Sequence, residues 1–272
     1  MSPPDEVYTH GHSDAVLRSH RWRTAANSAA YLLPRITADD RILDVGCGPG
    51  SITLELAELA GDGSVLGVDR SEEVIAEAAS AARRAGVDNV EFVVGDVYAL
   101  AQETGSFDVV HAHQLLQHVS RPVAALREMG RVCRPGGLVA ARDSDYAAFT
   151  WWPEVPELDE WLTLYRTVAR GNGAEPDAGR RLASWARGAG LEVVSSGAGV
   201  WCFSSPQDVA WWGGLWAERV VGSGLAQQAT DRGLATTADL ERLADGWRRW
   251  AGSPDAWFVV LHGEVICTPH RS

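Results

Sequence analysis

The chain has 272 residues, of which 46% are hydrophobic, and carries a net charge of −12 at pH 7. This length and composition predict one large globular unit with a buried core, and the acidic charge opposes binding to nucleic acid or to an anionic membrane. Every one of the 24 basic residues is arginine. The absence of lysine excludes Schiff-base chemistry, attachment of pyridoxal phosphate and a phosphate-loop nucleotide site.

The N-terminal sequence and the cysteines predict a cytoplasmic protein. The first residues, M-S-P-P-D-E, lack the charged and then apolar pattern of a signal peptide, and no apolar run approaches the roughly 18 residues of a membrane-spanning helix. The cysteines show neither pairing nor metal-ligand spacing, so we expect free thiols and no metal site. They are Cys47, Cys133, Cys202 and Cys267.

Residues 1–40 are predicted to form a helical extension. The segment 18–33 reads as one helix that ends at Pro34, because proline cannot continue a helix. Residues 41–272 then form the main domain.

From Arg41 to Asp143, short β-type runs alternate with helical stretches. Alternation at this spacing predicts βαβ units, hence a parallel sheet covered on both faces. Such sheets bind ligands at the carboxyl ends of their strands. The predicted strands are R-I-L-D-V-G (41–46), S-V-L-G-V-D (64–69), V-E-F-V-V-G-D (90–96), F-D-V-V-H-A-H (107–113) and G-L-V-A-A-R-D (137–143).

After Asp145 the alternation is interrupted by two insertions, at about 146–178 and 205–252. Both are predicted to cover the strand ends instead of folding independently. The first holds one helix (158–170) and the second two (206–222 and 238–251), with strands predicted at 191–194 and 256–262. The chain contains 12 tryptophans, most of them in this half. Tryptophans at this density indicate either core packing or an aromatic-walled pocket.

The run I-L-D-V-G-C-G-P-G-S (42–51) places a glycine-rich turn after the first strand. Such turns let backbone N–H groups approach a ligand closely. A dinucleotide site needs G-x-G-x-x-G, whereas the glycines here are Gly46, Gly48 and Gly50, and Ser51 stands at the position of the third dinucleotide glycine.

With Asp44 included, D-x-G-x-G-x-G resembles the first motif of class I S-adenosylmethionine-dependent methyltransferases. Three further elements agree with the resemblance: V-D-R-S (68–71), G-D-V (95–97) and L-R-E-M-G-R-V-C-R-P-G-G (126–137). The resemblance covers about residues 15–145 and is nearest to the ubiquinone/menaquinone-biosynthesis type of small-molecule methyltransferase. It implies a Rossmann-like, doubly wound sheet of seven strands, mostly parallel with an antiparallel last strand.

The resemblance also implies the binding site for S-adenosylmethionine, with S-adenosylhomocysteine as product. Asp69 is expected to bind both ribose hydroxyls, Asp96 to read the adenine edge, and Asp44 to lie near the methionine amino group. His113 is expected at the methionine end, and Arg23 is a candidate partner of its carboxylate. The full predicted set is Arg23, Asp44, Gly46, Cys47, Gly48, Gly50, Asp69, Arg70, Gly95, Asp96, Val97 and His113.

Methyl transfer from a sulfonium requires orientation, exclusion of water and, for some acceptors, a base. His118 is the preferred candidate base, with His113 and Asp143 as further catalytic candidates, whereas His111 is expected to be structural. The predicted acceptor-binding residues are Tyr8, His12, Asp145, Tyr146, Trp151 and Trp212. Tyr8 and His12 resemble the mobile N-terminal lid of such enzymes.

Other functions stay open. A nicotinamide oxidoreductase would need a glycine at position 51 and a hydride site such as Tyr-x-x-x-Lys, and this lysine-free chain with Ser51 has neither. An RNA or protein methyltransferase conflicts with the acidic charge, and a cofactor-binding protein without transferase activity has no opposing feature. The acceptor is predicted to be a small apolar or aromatic molecule. Nothing in the sequence indicates its identity, the methylated atom or the oligomeric state.

Overall fold

The computed structural model describes Thr9, His20 and residues 22–269. Within that part of the chain, eight strands form one sheet in which β3, β2, β1, β4, β5 and β8 are successive neighbours. The strands are β1 (Arg41–Val45), β2 (Ser64–Asp69), β3 (Val90–Val94), β4 (Phe107–His113), β5 (Cys133–Ser144), β6 (Thr150–Trp152), β7 (Leu191–Phe203) and β8 (Trp257–Pro269).

The first five strands are parallel, and β8 runs antiparallel to β5. Strand β7 forms the outer edge along β8, with Leu191 opposite Pro269 and Phe203 opposite Phe258. The parallel strands therefore direct their carboxyl ends to one rim. The predicted Rossmann-like fold with an antiparallel last strand is confirmed.

Helices cover both faces of the sheet. Their ends follow ordinary capping rules: in α3, for example, the Ser71 hydroxyl accepts the Val74 N–H and Gly86 ends the helix in the left-handed conformation. The α-helices are α1 (Ala25–Ser28), α2 (Ser51–Leu59), α3 (Glu72–Ala85), α4 (Pro122–Val132), α5 (Pro156–Gly171), α6 (Leu182–Gly188), α7 (Pro206–Gly222), α8 (Gly224–Asp231) and α9 (Thr237–Ala251), and 3₁₀ turns occupy Leu33–Arg35, Tyr146–Ala148 and Gly179–Arg181.

The structure corrects the predicted number of strands, which is eight instead of seven. The additional strand β6 pairs with β8 on the same side as β5, with Trp151 opposite Phe258. Three residues are too few to show a period of two in the sequence, so the sequence predicts no strand at this position.

The single predicted helix over 18–33 is also wrong. Trp22, Arg23 and Thr24 are not helical, and the Thr24 hydroxyl instead caps the short helix α1 by accepting the Asn27 N–H. Threonine favours such capping positions because its side chain competes for backbone hydrogen bonds.

The core has three parts. One face of the sheet packs with Ala29 and Leu32, and the other packs against α4 and α6. The third part is an aromatic cluster between α5, α7, α9 and strands β7 and β8. Its largest fully buried members are Trp161, Trp216, Trp247, Trp250 and Phe258. Among the described residues, no helix has both the length and the apolarity to cross a membrane.

Candidate active site

The glycine turn between β1 and α2 is fixed to the end of β2. The N–H groups of Gly46 and Cys47 donate to the Val68 carbonyl at 2.7 and 3.1 Å. Gly46, Gly48 and Gly50 have φ values of +73°, +56° and +83°. Because residues with a side chain rarely adopt these angles, this path requires glycine. A Cβ at Gly48 would lie 3.9 Å from the ring of His20, which leaves space beside the turn.

Asp69 lies at the end of β2 and organises the turn. Its Oδ2 accepts the Gly48 N–H at 3.1 Å, and its Oδ1 accepts the Ser71 N–H at 3.1 Å. Each carboxylate oxygen accepts more than one hydrogen bond, so both oxygens retain capacity for the two hydroxyls of a ribose. The geometry therefore fits the predicted role of Asp69.

The third strand end lies beside the second. The Gly95 N–H donates to the Asp69 carbonyl at 2.9 Å, which brings Asp96 to the same rim. Asp96 is exposed, its Oδ1 accepts the Tyr98 N–H, and Val97 beside it is buried. An exposed acid next to an apolar wall fits an adenine ring. Arg70, also exposed, follows Asp69.

Asp44 and Cys47 differ from their neighbours because both are buried beneath the turn. Asp44 is 2% exposed, and its oxygens accept from the Thr53 hydroxyl at 2.6 Å and bond the His111 ring at 2.8 Å. It therefore braces β1 against α2 and β4, and a contact with the methionine amino group would require this arrangement to change. Burial raises the pKa of the Cys47 thiol, so the thiol is protonated and unreactive at neutral pH. His111 has the structural role expected of it.

A small cavity opens beside the turn, beneath the tryptophan-rich cover. His20 connects the two regions, because it lines the cavity and its carbonyl accepts the Ser51 hydroxyl at 3.0 Å. Seven of the fourteen lining residues are Trp, Tyr or Phe, and six others have polar side chains. The lining residues are His20, Trp22, Arg23, Gln114, His118, Ser144, Tyr146, Phe149, Trp201, Trp211, Trp212, Trp216, Arg219 and Val260.

Gln114 is the residue that sequence reasoning missed most clearly. Within the described chain it is the one non-glycine residue with positive φ, at 51°, a conformation that costs about 1–3 kcal/mol and concentrates at functional sites. It accepts from Arg23 at 2.7 Å, donates to the Ser144 hydroxyl at 2.9 Å, and lies 2.8 Å from the His262 ring. No sequence pattern marks a strained glutamine, so no signal was available.

The three catalytic candidates have different environments. His118 lines the cavity, its ring bonds the Gln117 amide at 2.9 Å, and burial together with Arg23 lowers its pKa to about 3. His113 is buried, and burial followed by Arg23 and Arg142 lowers its pKa. Asp143 is fully buried, accepts the Gln117 N–H at 2.9 Å, and has a pKa raised to about 7 by burial.

The three side chains differ in whether they reach the cavity and in whether their pKa suits a base. His118 is accessible but is a weak base at neutral pH, since an effective base has a pKa near the working pH. Asp143 has a suitable pKa but does not line the cavity. None of the three combines both properties.

Some of the predicted acceptor-binding residues line the cavity and others do not. Tyr146 and Trp212 line the cavity. Trp151 instead stacks on Phe258 at 5.6 Å, and Asp145 is buried in a bidentate ion pair with Arg180. Both are therefore structural. Tyr8 and His12 lie outside the described residues.

Arg23, predicted to contact the cofactor, lies at the cavity wall, with its guanidinium 5.9 Å from the Trp201 ring. Sequence reasoning also missed His20, Ser144, Trp201 and Arg219. His20 and Ser144 are common residue types. Trp201 and Arg219 lie on β7 and α7, and only the fold shows where these elements pack.

A Rossmann-like sheet with an antiparallel last strand, a glycine turn and two successive strand-end acids defines the site of a class I methyltransferase. Comparison with known proteins agrees. The sequence profile of a family described as "Methyltransferase domain" matches residues 36–190. An uncharacterized methyltransferase of Schizosaccharomyces pombe is 34% identical over 275 aligned positions, covering 97% of both chains. The chain therefore belongs to the S-adenosylmethionine-dependent methyltransferase family.

Two further comparisons extend this result. A demethylmenaquinone methyltransferase of Roseiflexus castenholzii is 36% identical over 176 residues, covering 61% of this chain and 66% of the relative. The crystal structure of a SAM-dependent methyltransferase of Methanosarcina mazei matches with a TM-score of 0.52 and 19% identity, covering 89% of this chain and 98% of that chain. The last comparison supports the fold.

Proposed function

We propose that the protein transfers the methyl group of S-adenosylmethionine to a small aromatic or apolar molecule held in the tryptophan-lined cavity. The observation that carries the proposal is the cavity itself, whose wall includes Trp22, Trp201, Trp211, Trp212 and Trp216. Rings of this size favour flat apolar ligands through stacking and burial.

We assign the cofactor to the strand-end rim. Asp69 is assigned to the ribose hydroxyls, Asp96 to the adenine edge, and the glycine turn to the methionine portion. When bound there, S-adenosylmethionine supplies an electrophilic methyl group on a sulfonium. The protein's task is to align the acceptor in line with that bond and to exclude water.

The cavity residues suit this task. The aromatic wall excludes water, while the amide of Gln114 and the hydroxyl of Ser144 form a polar edge that can orient an acceptor oxygen or nitrogen. We assign His118 to hydrogen bonding in its neutral form instead of proton removal, because its pKa lies near 3. His113 stacks on His262, which contacts Gln114, and Asp143 accepts the Gln117 N–H, so both help to position this edge.

Several observations favour a small acceptor over RNA or protein. The net charge of −12 repels RNA, and the cavity lies beneath a helical cover instead of on an open groove. The Roseiflexus castenholzii relative, by its name, methylates demethylmenaquinone. A cytoplasmic location is also proposed, supported by four free cysteines within the described residues.

A transfer assay tests the proposal. Purified protein would be incubated with S-adenosylmethionine labelled in its methyl group and, separately, with a panel of phenols and quinols, with total RNA and with denatured protein. Label in a small aromatic compound is the expected result. Label in RNA or protein alone would contradict it. Trp211→Ala should slow transfer to the aromatic acceptor, whereas Trp257→Ala, a tryptophan outside the cavity, should not.

A further inference from the structure

Three polar side chains around Gln114 form one connected hydrogen-bond network at the cavity. The amide oxygen of Gln114 accepts from the Arg23 guanidinium at 2.7 Å. The amide nitrogen lies 2.9 Å from the Ser144 hydroxyl and 2.8 Å from Nε2 of His262. Ser144 and His262 are opposite residues of the paired strands β5 and β8, so they lie side by side and one amide contacts both.

Arg23 fixes the direction of this network. A guanidinium carries only donors, so the amide oxygen of Gln114 faces Arg23 and the amide NH₂ group faces the other two residues. Each amide hydrogen is then used, one toward Ser144 and one toward His262. His262 therefore accepts at Nε2 and is neutral, with its hydrogen on Nδ1. In agreement, burial, followed by Arg142 and Arg23, lowers the pKa of His262 well below its usual value.

This direction leaves the Ser144 hydroxyl with its own hydrogen to donate. Its oxygen accepts from Gln114, and within the described residues no atom accepts from it. Ser144 is 2% exposed and lines the cavity. A buried donor gains most from a ligand that supplies an acceptor, because water does not compete there.

The position and strength of this donor are set before a ligand arrives. The Ser144 N–H donates to the side-chain oxygen of the buried Gln117 at 3.1 Å, which holds the backbone in place. The Gln114 amide is polarised by the charged group of Arg23, and successive hydrogen bonds strengthen one another. A ligand therefore meets a fixed and polarised hydroxyl, which lowers the entropic cost of binding.

We propose that Ser144 selects the methyl acceptor by donating its hydroxyl hydrogen to an oxygen of the acceptor molecule that has a free lone pair, such as a ketone carbonyl. A molecule with a methylene group at that place leaves the hydroxyl without a partner. This inference rests on the proposed function, because it names the chemical group that the same cavity recognises. Ser144 is the specificity-determining residue, and Gln114 and His262 are positioning residues that direct its hydrogen.

A titration with two small probes of the same shape tests the role of Ser144. Acetone and 2-methylpropene differ only in an oxygen against a methylene group, and both are small enough for a narrow cavity. Each would be titrated into the full-length protein with saturating S-adenosylhomocysteine, and binding would be followed through the tryptophan indole N–H resonances in NMR spectra.

Ser144→Ala should weaken acetone binding roughly threefold to tenfold, as expected for one neutral hydrogen bond, and should not weaken 2-methylpropene binding. The affinity for S-adenosylhomocysteine should stay unchanged, which shows that the variant is folded. Ser28→Ala is the matched control. Ser28 is equally buried, but its hydroxyl already donates to Asn27 at 2.7 Å and it does not line the cavity, so both probes should be unaffected.

Nitrogen-15 NMR of histidine-labelled protein tests the direction of the network separately. The His262 signals, identified by their loss in His262→Gln, should show a hydrogen on Nδ1 and none on Nε2 throughout the neutral pH range. Gln114→Glu places a carboxylate, which only accepts, beside the ring and should move the hydrogen to Nε2. A hydrogen on Nε2 in the unaltered protein would reverse the network and overturn the inference.

The probe titration separates this inference from the proposed function. If acetone binds Ser144→Ala as tightly as the unaltered protein, the role of Ser144 is overturned while the acceptor cavity stands. If neither probe binds although S-adenosylhomocysteine does, the cavity is not an acceptor site, and the proposed function and this inference fail together.

Discussion

The strand-end rim and the tryptophan-rich cover form two sides of one site, but they are built differently. At the rim, Gly48, Asp69 and Asp96 lie at the end of a strand or within a few residues of one. Hydrogen bonds from the backbone N–H groups of the neighbouring turns to Asp69 hold them together. In the cover, the cavity wall brings Trp22 against Trp201 and Trp211, which lie far from it in sequence, with ring centroids 5.1 and 5.3 Å from that of Trp22.

The difference shows how two kinds of ligand are accommodated. Binding of a constant cofactor depends on backbone geometry, which a short motif encodes. Binding of a variable acceptor depends on side chains of a packed cover, which can change without altering the sheet. The rim therefore identifies the family, and the cover determines the acceptor.

The largest effect is expected from removing a ring at the centre of the cover. Trp247 is fully buried and contacts Trp161, Trp216, Trp250 and Phe258, with ring centroids 4.8 to 5.8 Å apart. Trp247→Ala should lower the free energy of unfolding by about 3–5 kcal/mol, because it leaves a large cavity.

Urea unfolding followed by circular dichroism measures this loss. Trp257→Ala is the control, since that ring is 39% exposed, and its loss should be less than half as large. Equal losses would show that the aromatic cluster is not the core of the cover.

The second prediction concerns the pH dependence of stability. Because burial raises the pKa of Asp143 to about 7, the folded state binds its proton more tightly than the unfolded state does. The stability contribution of the protonated carboxyl is complete below about pH 4, the unfolded pKa, and is lost as pH rises toward 7.

Asp143→Asn removes this titration. The free energy of unfolding of the variant minus that of the unaltered protein should therefore increase from pH 4 to pH 7, by an amount on the order of 4 kcal/mol, and then stay constant. Urea unfolding at half-unit pH intervals gives the difference curve, in which contributions from the histidines cancel. A curve that is flat over this range would contradict the raised pKa.

A third, smaller effect is expected at Gln114. Gln114→Gly and Gln114→Ala both remove the amide that joins Arg23 to Ser144, so both should slow methyl transfer about tenfold. Only glycine relieves the strain of positive φ, so the glycine variant should be more stable than the alanine variant by about 1 kcal/mol.

Turnover and thermal unfolding of the two variants check this expectation. Equal stabilities would indicate that the backbone at Gln114 is not strained, whereas normal turnover in both would remove the amide from the site.

Much of the rim could be predicted from the sequence, because local patterns determine it. The glycine spacing, the acids Asp69 and Asp96, and the five parallel strands all follow from short motifs and alternating apolar runs. The positions of Asp44 and Cys47 were also predictable, but their burial was not, since only the packing of Thr53 and His111 shows that Asp44 is already bonded.

The cover was less predictable for a physical reason. Which tryptophan lines a cavity depends on contacts between distant segments, so Trp212 and Trp151 were equal candidates although only Trp212 faces the cavity. Gln114 lies in an ordinary sequence context, and only its backbone angle and hydrogen bonds single it out. Helix α8 and strand β6 were too short or too weakly periodic to be distinguished from loops.

The central claim is that the rim binds the cofactor and the cover binds the acceptor, and a crossed calorimetric experiment tests it directly. S-adenosylhomocysteine and 2-naphthol would each be titrated into Asp69→Ala and Trp211→Ala, the second ligand at S-adenosylhomocysteine concentrations that saturate each variant. The account predicts that Asp69→Ala weakens S-adenosylhomocysteine binding at least tenfold and leaves 2-naphthol binding unchanged, whereas Trp211→Ala does the reverse. If Trp211→Ala weakened S-adenosylhomocysteine as much as Asp69→Ala, or if Asp69→Ala left it unchanged, the division of the site would be contradicted.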